Sequence, residues 1–209
     1  MNAKQDYLLI VEDDPDILKL LEKTLTIKGY RVVTASNGFE GLEIIEKERP
    51  ALIITDIMMP QMDGFGLVHR LRINPETRTL PVIFITVTYI AREDREFALD
   101  IGVTRFVQKP INFEKFLGTV EELLEQETPV AHETLNDFNF YDGYRKRLEI
   151  KLDQKNKQIA RDELLLKNQS DKENKLLQSS LQLSINEREE IKLLLEQVHI
   201  QLETITKPE

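Results

Sequence analysis

The chain has 209 residues and a formal net charge of −9, with 28 Lys and Arg against 37 Asp and Glu, which argues against nucleic-acid binding by electrostatics alone. It has no cysteine, so disulfides and thiolate metal sites are excluded. No apolar run approaches the roughly 18 residues of a membrane span, and the N-terminus lacks the pattern of a secretory signal, so we expect a cytoplasmic protein without membrane contact.

Residues 1–127 alternate short apolar runs with segments of helical spacing. The runs predict five strands: Tyr7–Val11, Arg31–Ala35, Ala51–Thr55, Val82–Thr86 and Arg105–Gln108. The first helix is expected to begin at Asp14-Pro15, with Pro15 as its first residue. Others are expected to start near Asn37, near Asp63 and at Asn112, and one to run from about Ile90 to Gly102. Strands that are apolar on both faces and alternate with helices predict an α/β fold with a five-stranded parallel sheet covered on both faces.

Chemically active residues follow these predicted strands. Glu12 and Asp13 come after the first strand, and Asp56 comes after the third. Ligands bind at the carboxyl ends of the strands in such sheets, so we expect these acids to lie together. Three carboxylates held this closely repel by about 4 kcal/mol per pair at an effective dielectric near 20. An oxygen-only cluster of this kind favours Mg²⁺, and a carboxylate beside it is able to attack phosphorus.

The set of strand-end residues resembles a known family. Glu12-Asp13, Asp56, Thr86 and Lys109-Pro110, with the loop that contains Met59-Pro60 and Asp63-Gly64, closely resemble the receiver domain of two-component response regulators. The resemblance covers residues 5 to about 127. It implies a flavodoxin-like sheet with strand order 2-1-3-4-5. It also implies that Asp56 accepts a phosphoryl group from a sensor histidine kinase or a phosphotransfer protein.

The resemblance assigns roles to further residues. Asp13, Asp56 and the backbone carbonyl of Met58 would ligate Mg²⁺, and Glu12 would act through a bound water. Lys109 would pair with the phosphoryl oxygens. Thr86 would hydrogen-bond the phosphoryl group, and Phe106 would turn inward behind it. The bond between Lys109 and Pro110 is expected to be cis.

Some of these residues also have simpler interpretations. Asp14 precedes Pro15 and is better interpreted as a helix N-cap than as a metal ligand. Considered alone, Thr86 is equally well interpreted as an ordinary threonine at a strand end and as a functional residue. Phe106 can also be interpreted as a residue of the hydrophobic core with no switching role. The sequence departs from the family at Val87, where a small residue is usual. Neither Met58 nor Thr88 is suited to orienting an attacking water, so we predict slow self-dephosphorylation.

The amino-acid composition and the pattern of apolar residues change after residue 127. Residues 128–143 are interpreted as a linker, and residues 144–207, which lack Gly and Pro, predict a long helix of about 95 Å if continuous. Apolar residues at alternating steps of four and three indicate a coiled-coil seam. The seam positions are Leu177, Leu181, Ser184, Arg188, Ile191, Leu195, Val198, Leu202 and Ile205.

A helix exposing this many leucines needs a partner. Our first expectation is a parallel homodimeric coiled coil through residues 144–207. The second is a helical hairpin broken near Ser170, where Ser170 to Glu173 fit a capping box. Docking onto a partner's helices is the third, and a solvated charged helix is the plainest alternative.

The sequence therefore predicts a phosphorylation-switched signalling protein that acts through protein–protein contacts. It lacks a helix-turn-helix pattern, and we do not expect an enzyme beyond the receiver's own phosphotransfer and dephosphorylation. Two alternatives stay open. The chain is the receiver portion of a longer signalling enzyme, a kinase or a cyclase, or it is a scaffold that never carries phosphate.

Overall fold

The computed structural model describes residues 7–86, 92–125, 135–167 and 174–206. The chain divides into two compact units, residues 1–135 and 136–209. None of the helices in the described ranges is both long and apolar enough to cross a lipid bilayer.

The first unit alternates strands and helices. Its elements are β1 (Tyr7–Val11), α1 (Pro15–Ile27), β2 (Arg31–Ala35), α2 (Gly38–Lys47), β3 (Leu52–Asp56), α3 (Gly64–Ile73), β4 (Val82–Thr86), α4 (Arg92–Asp100), β5 (Arg105–Gln108) and α5 (Phe113–Glu125). The strands are parallel and lie in the order β2-β1-β3-β4-β5, as expected. Four strands have the predicted bounds, and β3 is displaced by one residue.

The three central strands β1, β3 and β4 are buried along their whole length. Apolar side chains on both faces of these strands therefore pack under helices, which explains their nearly continuous runs of Leu, Ile and Val. On one face, Leu8, Ile10 and Ile54 join α1 and α5 in a single apolar core. On the α3 side, the ring of Phe65 meets the ring of Phe84 edge-on at 5.4 Å.

Side-chain caps begin the helices where the sequence predicts. Asp14 accepts hydrogen bonds from the backbone N–H groups of Asp16 and Ile17, so it caps α1, as predicted. Asn37 caps α2 and Asp63 caps α3 in the same way. Each cap satisfies backbone donors that the first turn of a helix leaves unpaired. These caps fix where each loop at the carboxyl edge of the sheet ends.

The second unit contains two helices, α6 (Asp137–Lys167) and α7 (Asn174–Thr206), which pack against each other. The Lys155 ammonium forms an ion pair with the Glu187 carboxylate, although the two residues are 32 positions apart. In one straight helix they would be separated by roughly 48 Å, at about 1.5 Å per residue. The chain therefore folds back, and α6 and α7 run antiparallel.

This hairpin was the second of our expectations for the tail. The single continuous helix is wrong, because residues on either side of the 168–173 segment meet across the hairpin. The capping box at Ser170 lies outside the described residues. Four positions of the predicted seam of α7 are buried, namely Ser184, Ile191, Leu195 and Val198, whereas Ile205 near the end of the helix is exposed. A seam of this kind is satisfied by α6 of the same chain.

The predicted linker is shorter than residues 128–143. Helix α6 already begins at Asp137, and Asn136 accepts a hydrogen bond from the backbone N–H of Asn139 in a cap. The helix starts this early because it carries aromatic side chains that are buried: Phe140 is 1 % exposed, and Tyr144 is also buried. Their burial stabilises a first turn and a half that Gly143 by itself disfavours. Residues 128–134 lie outside the described part of the chain.

Candidate phosphoacceptor site

The predicted site residues meet at one edge of the sheet. Parallel pairing places Val11 beside Thr55, Asp56 beside Ile85 and Thr86 beside Gln108. The residues at the carboxyl ends of β1, β3, β4 and β5 therefore share one edge, as parallel strands require. A backbone hydrogen bond of 2.6 Å from Lys109 N to Thr86 O fastens the last two strand ends together.

Three carboxylates form the floor of the site. Each of Glu12, Asp13 and Asp56 offers an oxygen, and these oxygens lie within 4.8 Å of one another. Glu12 is 2 % exposed and Asp56 is 9 % exposed, whereas Asp13 stands at the surface. The cluster is thus open on the side of Asp13 and closed behind Glu12.

Lys109 neutralises part of this charge. Its ammonium nitrogen lies 2.7 Å from Oδ1 of Asp56 and 3.0 Å from Oε2 of Glu12. Partial burial acts to lower the pKa of the Lys109 ammonium, but hydrogen bonds and charge interactions with Asp56 and Glu12 outweigh burial and raise it. Lys109 therefore remains a cation that donates to both buried acids.

The pKa values of Glu12 and Asp13 are raised because these acids are partly buried and lie close to Asp56. Burial, followed by the charge of Asp56, raises the pKa of the Glu12 carboxyl to about 7, even though Lys109 acts in the opposite direction. Burial likewise raises the pKa of Asp13, and the nearby Asp56 charge adds to that effect. The folded chain thus holds more negative charge at this edge than Lys109 offsets.

The loop after β3 is built around the Asp56 side chain. The backbone N–H of Met58 donates to Oδ2 of Asp56 at 2.8 Å, and the N–H of Gly64 donates to the Ile57 carbonyl at 2.9 Å. A Cβ at Gly64 would lie only 2.5 Å from the Asp56 carbonyl oxygen, so only glycine fits there. The loop therefore holds one oxygen of Asp56 while Lys109 holds the other.

The two switch candidates lie beside this site. Thr86 is buried at the end of β4. The Phe106 ring is half-buried on β5, 6.2 Å from the ring of Phe84, and the guanidinium of Arg95 lies 5.3 Å above it. The sequence did not single out Arg95, because an exposed arginine on an amphipathic helix gives no distinguishing signal. The bond between Lys109 and Pro110 is cis, as predicted. Val87 and Thr88 lie outside the described residues.

The donor set fits a hard divalent cation. All of its ligand atoms are oxygens, three carboxylates converge within 4.8 Å, and one of them is at the surface. Mg²⁺ binds through a few carboxylates and keeps several of its waters, which an open cluster allows. The partial neutralisation by Lys109 leaves the set with a net negative charge that a cation would offset.

The sequence matches the family described as the response regulator receiver domain over residues 8–121. The chain belongs to that family. The receiver match spans the first unit from β1 into α5, and it contains every strand-end residue of the site. Recognition from the strand-end residues is thereby confirmed, as is the fold that it implied.

Individual relatives agree with this assignment. The receiver is 37% identical over 134 residues to the transcriptional regulatory protein GlrR of Escherichia coli K12, covering 64% of this chain and 29% of that protein. It is 36% identical over 126 residues to the probable transcriptional regulator ycf27 of Porphyra purpurea, covering 60% of this chain and 50% of that protein. The chain thus spans about a third to a half of the length of these two relatives.

Solved structures share the receiver fold. Chemotaxis response regulator CheY4 of Vibrio cholerae matches with a TM-score of 0.53 and 32% identity, over 56% of this chain and 98% of that one. The signal receiver domain of a signal transduction histidine kinase from Syntrophus aciditrophicus matches with a TM-score of 0.55 and 34% identity, over 62% of this chain and 98% of that one. Each of these likenesses covers between half and two thirds of this chain.

Proposed function

We propose that Asp56 is the phosphoacceptor of this receiver and that a sensor histidine kinase or a phosphotransfer protein is its donor. An oxygen of the Asp56 carboxylate attacks phosphorus, a new O–P bond forms, and the bond from phosphorus to the donor's imidazole nitrogen breaks. The observation that carries this proposal is the position of Asp56, at a strand end with one oxygen held by Lys109 and the other by the Met58 N–H.

Each neighbouring residue has a part in the proposed reaction. Asp13, Asp56 and the backbone carbonyl of Met58 would hold Mg²⁺, with Glu12 acting through a water. When bound, Mg²⁺ would neutralise charge that develops on the transferring oxygens. Lys109 pairs with a phosphoryl oxygen, Thr86 hydrogen-bonds another, and Phe106 changes position in response to Thr86.

Intact mass spectrometry tests the acceptor. The full chain is incubated with Mg²⁺ and acetyl phosphate, beside Asp56→Asn and a matched control, Asp63→Asn. Asp63 is a buried aspartate of the same loop, but its carboxylate caps α3. We expect one added phosphoryl group in the wild type and in Asp63→Asn, and none in Asp56→Asn. A folded wild type that gains no mass, or an Asp56→Asn protein that gains it, would contradict the proposal.

We further propose that residues 1–127 act as the receiver and that the α6–α7 unit carries the output. Output through protein–protein contact fits this unit, because its exposed face carries scattered apolar side chains such as Leu183, Leu193 and Ile200. A homodimer through residues 144–207 remains part of the proposal, now as an association of hairpins. An output partner would bind the same unit.

Cysteine cross-linking distinguishes the hairpin from a parallel dimer, because the chain has no native cysteine. In the hairpin, Lys155→Cys with Glu187→Cys joins within one chain through a bismaleimide. A parallel dimer places residue 155 beside residue 155 of the second copy, so Lys155→Cys alone would join two chains. We expect efficient linkage within the chain for the double variant and little linkage between chains for the single one. The reverse pattern would restore the continuous helix.

A second candidate function is the receiver portion of a longer signalling enzyme. The receiver that matches from Syntrophus aciditrophicus belongs to a signal transduction histidine kinase, so receivers of this kind do occur in such enzymes. The full reading frame discriminates the two, since a kinase or cyclase module after α7 would favour the second. A scaffold that never carries phosphate is disfavoured by the complete set of strand-end residues.

A further inference from the structure

A glycine outside the strand-end set contacts the loop that follows the acceptor. Gly38 is the first residue of α2, and its backbone N–H donates to the carbonyl of Met62 at 3.0 Å. That N–H is one of the donors that a helix start normally leaves unpaired. Here the loop after β3 supplies its acceptor, so α2 and the phosphoacceptor loop are joined at this point.

The contact is too close for any side chain on residue 38. A Cβ built on Gly38 lies 2.7 Å from Cγ and 2.8 Å from the carbonyl oxygen of Met62. On its other side, Met62 is close to Gly66, where a Cβ would lie 3.4 Å from the same Cγ. Met62 is therefore held between two glycines. Gly38 is buried and has no positive φ, so the close approach, and not backbone conformation, requires glycine there.

The held segment is strained. Gln61 has a φ of 68°, and the N–H of Met62 donates to the Pro60 carbonyl at 2.8 Å, a bond across only two residues. That is the pattern of a γ-turn with a positive central φ, a rare and strained conformation. Such a turn persists only where its surroundings hold it. The hydrogen bond from Gly38 to Met62 is an outside restraint on its last residue.

We propose that Gly38 and Met62 form a latch that positions the phosphoacceptor loop, and that Gly38 is a positioning residue for Mg²⁺ binding and phosphoryl transfer. The latch lies at one end of the loop, and Met58, whose N–H holds Asp56, lies at the other. A displacement of Met62 passes through the short turn to Met58. The inference rests on the proposed role of Asp56 and its metal, but it assigns a function to residues outside that site.

Gly38→Ala tests the latch, with Gly118→Ala as matched control. Gly118 lies on the exposed side of α5, and a Cβ there meets nothing within 4 Å. Three quantities are measured on the full chain: hydrogen exchange of residues 57–63 without metal, the Mg²⁺ dissociation constant by titration calorimetry, and the rate of phosphorylation by acetyl phosphate. The urea midpoint of each variant reports global stability.

We expect Gly38→Ala to speed exchange in the loop, weaken Mg²⁺ binding and slow phosphorylation, the last two by about tenfold, since small misplacements of reacting groups cost this much or more. Gly118→Ala should match the wild type in all three. If Gly38→Ala does not fold, Met62→Ala tests the latch instead. This change keeps the backbone hydrogen bond from Gly38 to residue 62 but removes the side chain that is held between the two glycines. It should speed loop exchange and weaken Mg²⁺ binding.

The outcomes separate the latch from the site itself. A wild type that takes up neither Mg²⁺ nor phosphate refutes the proposed function, whatever the variants do. A wild type that takes up both, with Gly38→Ala equal to it in metal affinity and rate, overturns the latch alone. A lower urea midpoint for Gly38→Ala with unchanged metal affinity and rate would assign Gly38 a purely structural role, and would also overturn the latch.

Discussion

The ammonium of Lys109 lies 2.7 Å from Oδ1 of Asp56, although 53 positions separate the two residues in the sequence. The same ammonium donates to Glu12 at 3.0 Å. Lys109 therefore pairs with the two buried carboxylates that a divalent cation would approach. It acts both as a counterion of the carboxylate cluster and as a competitor with a cation for the charge of that cluster.

Lys109→Met should separate these two effects. Removal of the cation leaves three carboxylates without compensation, so Mg²⁺ should bind several-fold more tightly. Phosphorylation by acetyl phosphate at saturating Mg²⁺ should slow on the order of a hundredfold, which is typical for the loss of one donor to a developing charge. Calorimetry and a mass-spectrometric time course measure the two quantities.

Lys115→Met is the matched control for that change. It removes the same charge from the exposed surface of α5, where the Lys115 backbone N–H donates to the Asn112 side chain and its carbonyl accepts from the Thr119 hydroxyl. Its Mg²⁺ affinity and rate should equal those of the wild type. Weaker Mg²⁺ binding in Lys109→Met would show instead that Lys109 organises the ligands.

Glu12 should make the stability of the metal-free chain depend on pH. Its pKa is raised from 4.5 to about 7 in the folded chain. Between these values the folded state binds more protons than the unfolded state, so stability falls as pH rises. Glu12→Gln cannot ionise. Its stability relative to the wild type should rise from about pH 4.5 to about pH 7, by on the order of 3 kcal/mol.

Urea unfolding in the presence of EDTA measures this difference at several pH values. Glu46→Gln, a change on the exposed surface of α2, serves as control and should show no comparable trend. A constant offset between Glu12→Gln and wild type across the range would contradict the expectation. Addition of Mg²⁺ should reduce the pH dependence, because a cation favours the ionised carboxylate.

Phe140→Ala should destabilise the hairpin. The side chain is 1 % exposed and its ring lies 5.0 Å from that of Tyr141 and 5.6 Å from that of Tyr144. Loss of a buried phenyl ring typically costs about 3–5 kcal/mol. Phe138→Ala, two residues earlier and 45 % exposed, should cost far less. Hydrogen exchange of α6 and α7 measures the loss of stability in each of the two variants. Equal losses in Phe140→Ala and Phe138→Ala would refute the packing role of Phe140.

Local rules explain why the receiver fold was predictable. Its strands are short apolar runs followed by residues that cap helices. Asp14 caps the helix that it was expected to cap, and Asn37 and Asp63 cap helices that were expected to start near them. Because parallel strands align their carboxyl ends, placing the strands was enough to place the site residues. The position of the candidate site could therefore be predicted from the ends of the strands alone, without knowledge of side-chain contacts.

The hairpin was harder to predict for a physical reason. A seam of apolar residues specifies that α7 needs a neighbouring helix, but not whether that helix comes from the same chain. Gly143 also favoured a linker, whereas burial of Phe140 and Tyr144 overrides that local preference. The latch at Gly38 was missed because it depends on how closely Met62 approaches, which no periodicity encodes.

The antiparallel arrangement of α6 and α7 has a mechanical consequence. The helices have 31 and 33 residues, so Asp137 and Thr206 lie at the same end of the pair. A force applied between those two residues would peel the helices apart one turn at a time, starting at the aromatic end. A parallel pair pulled at opposite ends would have to slide all of its contacts at once. The second unit is therefore expected to unfold sequentially, one helical turn at a time, under a small applied force.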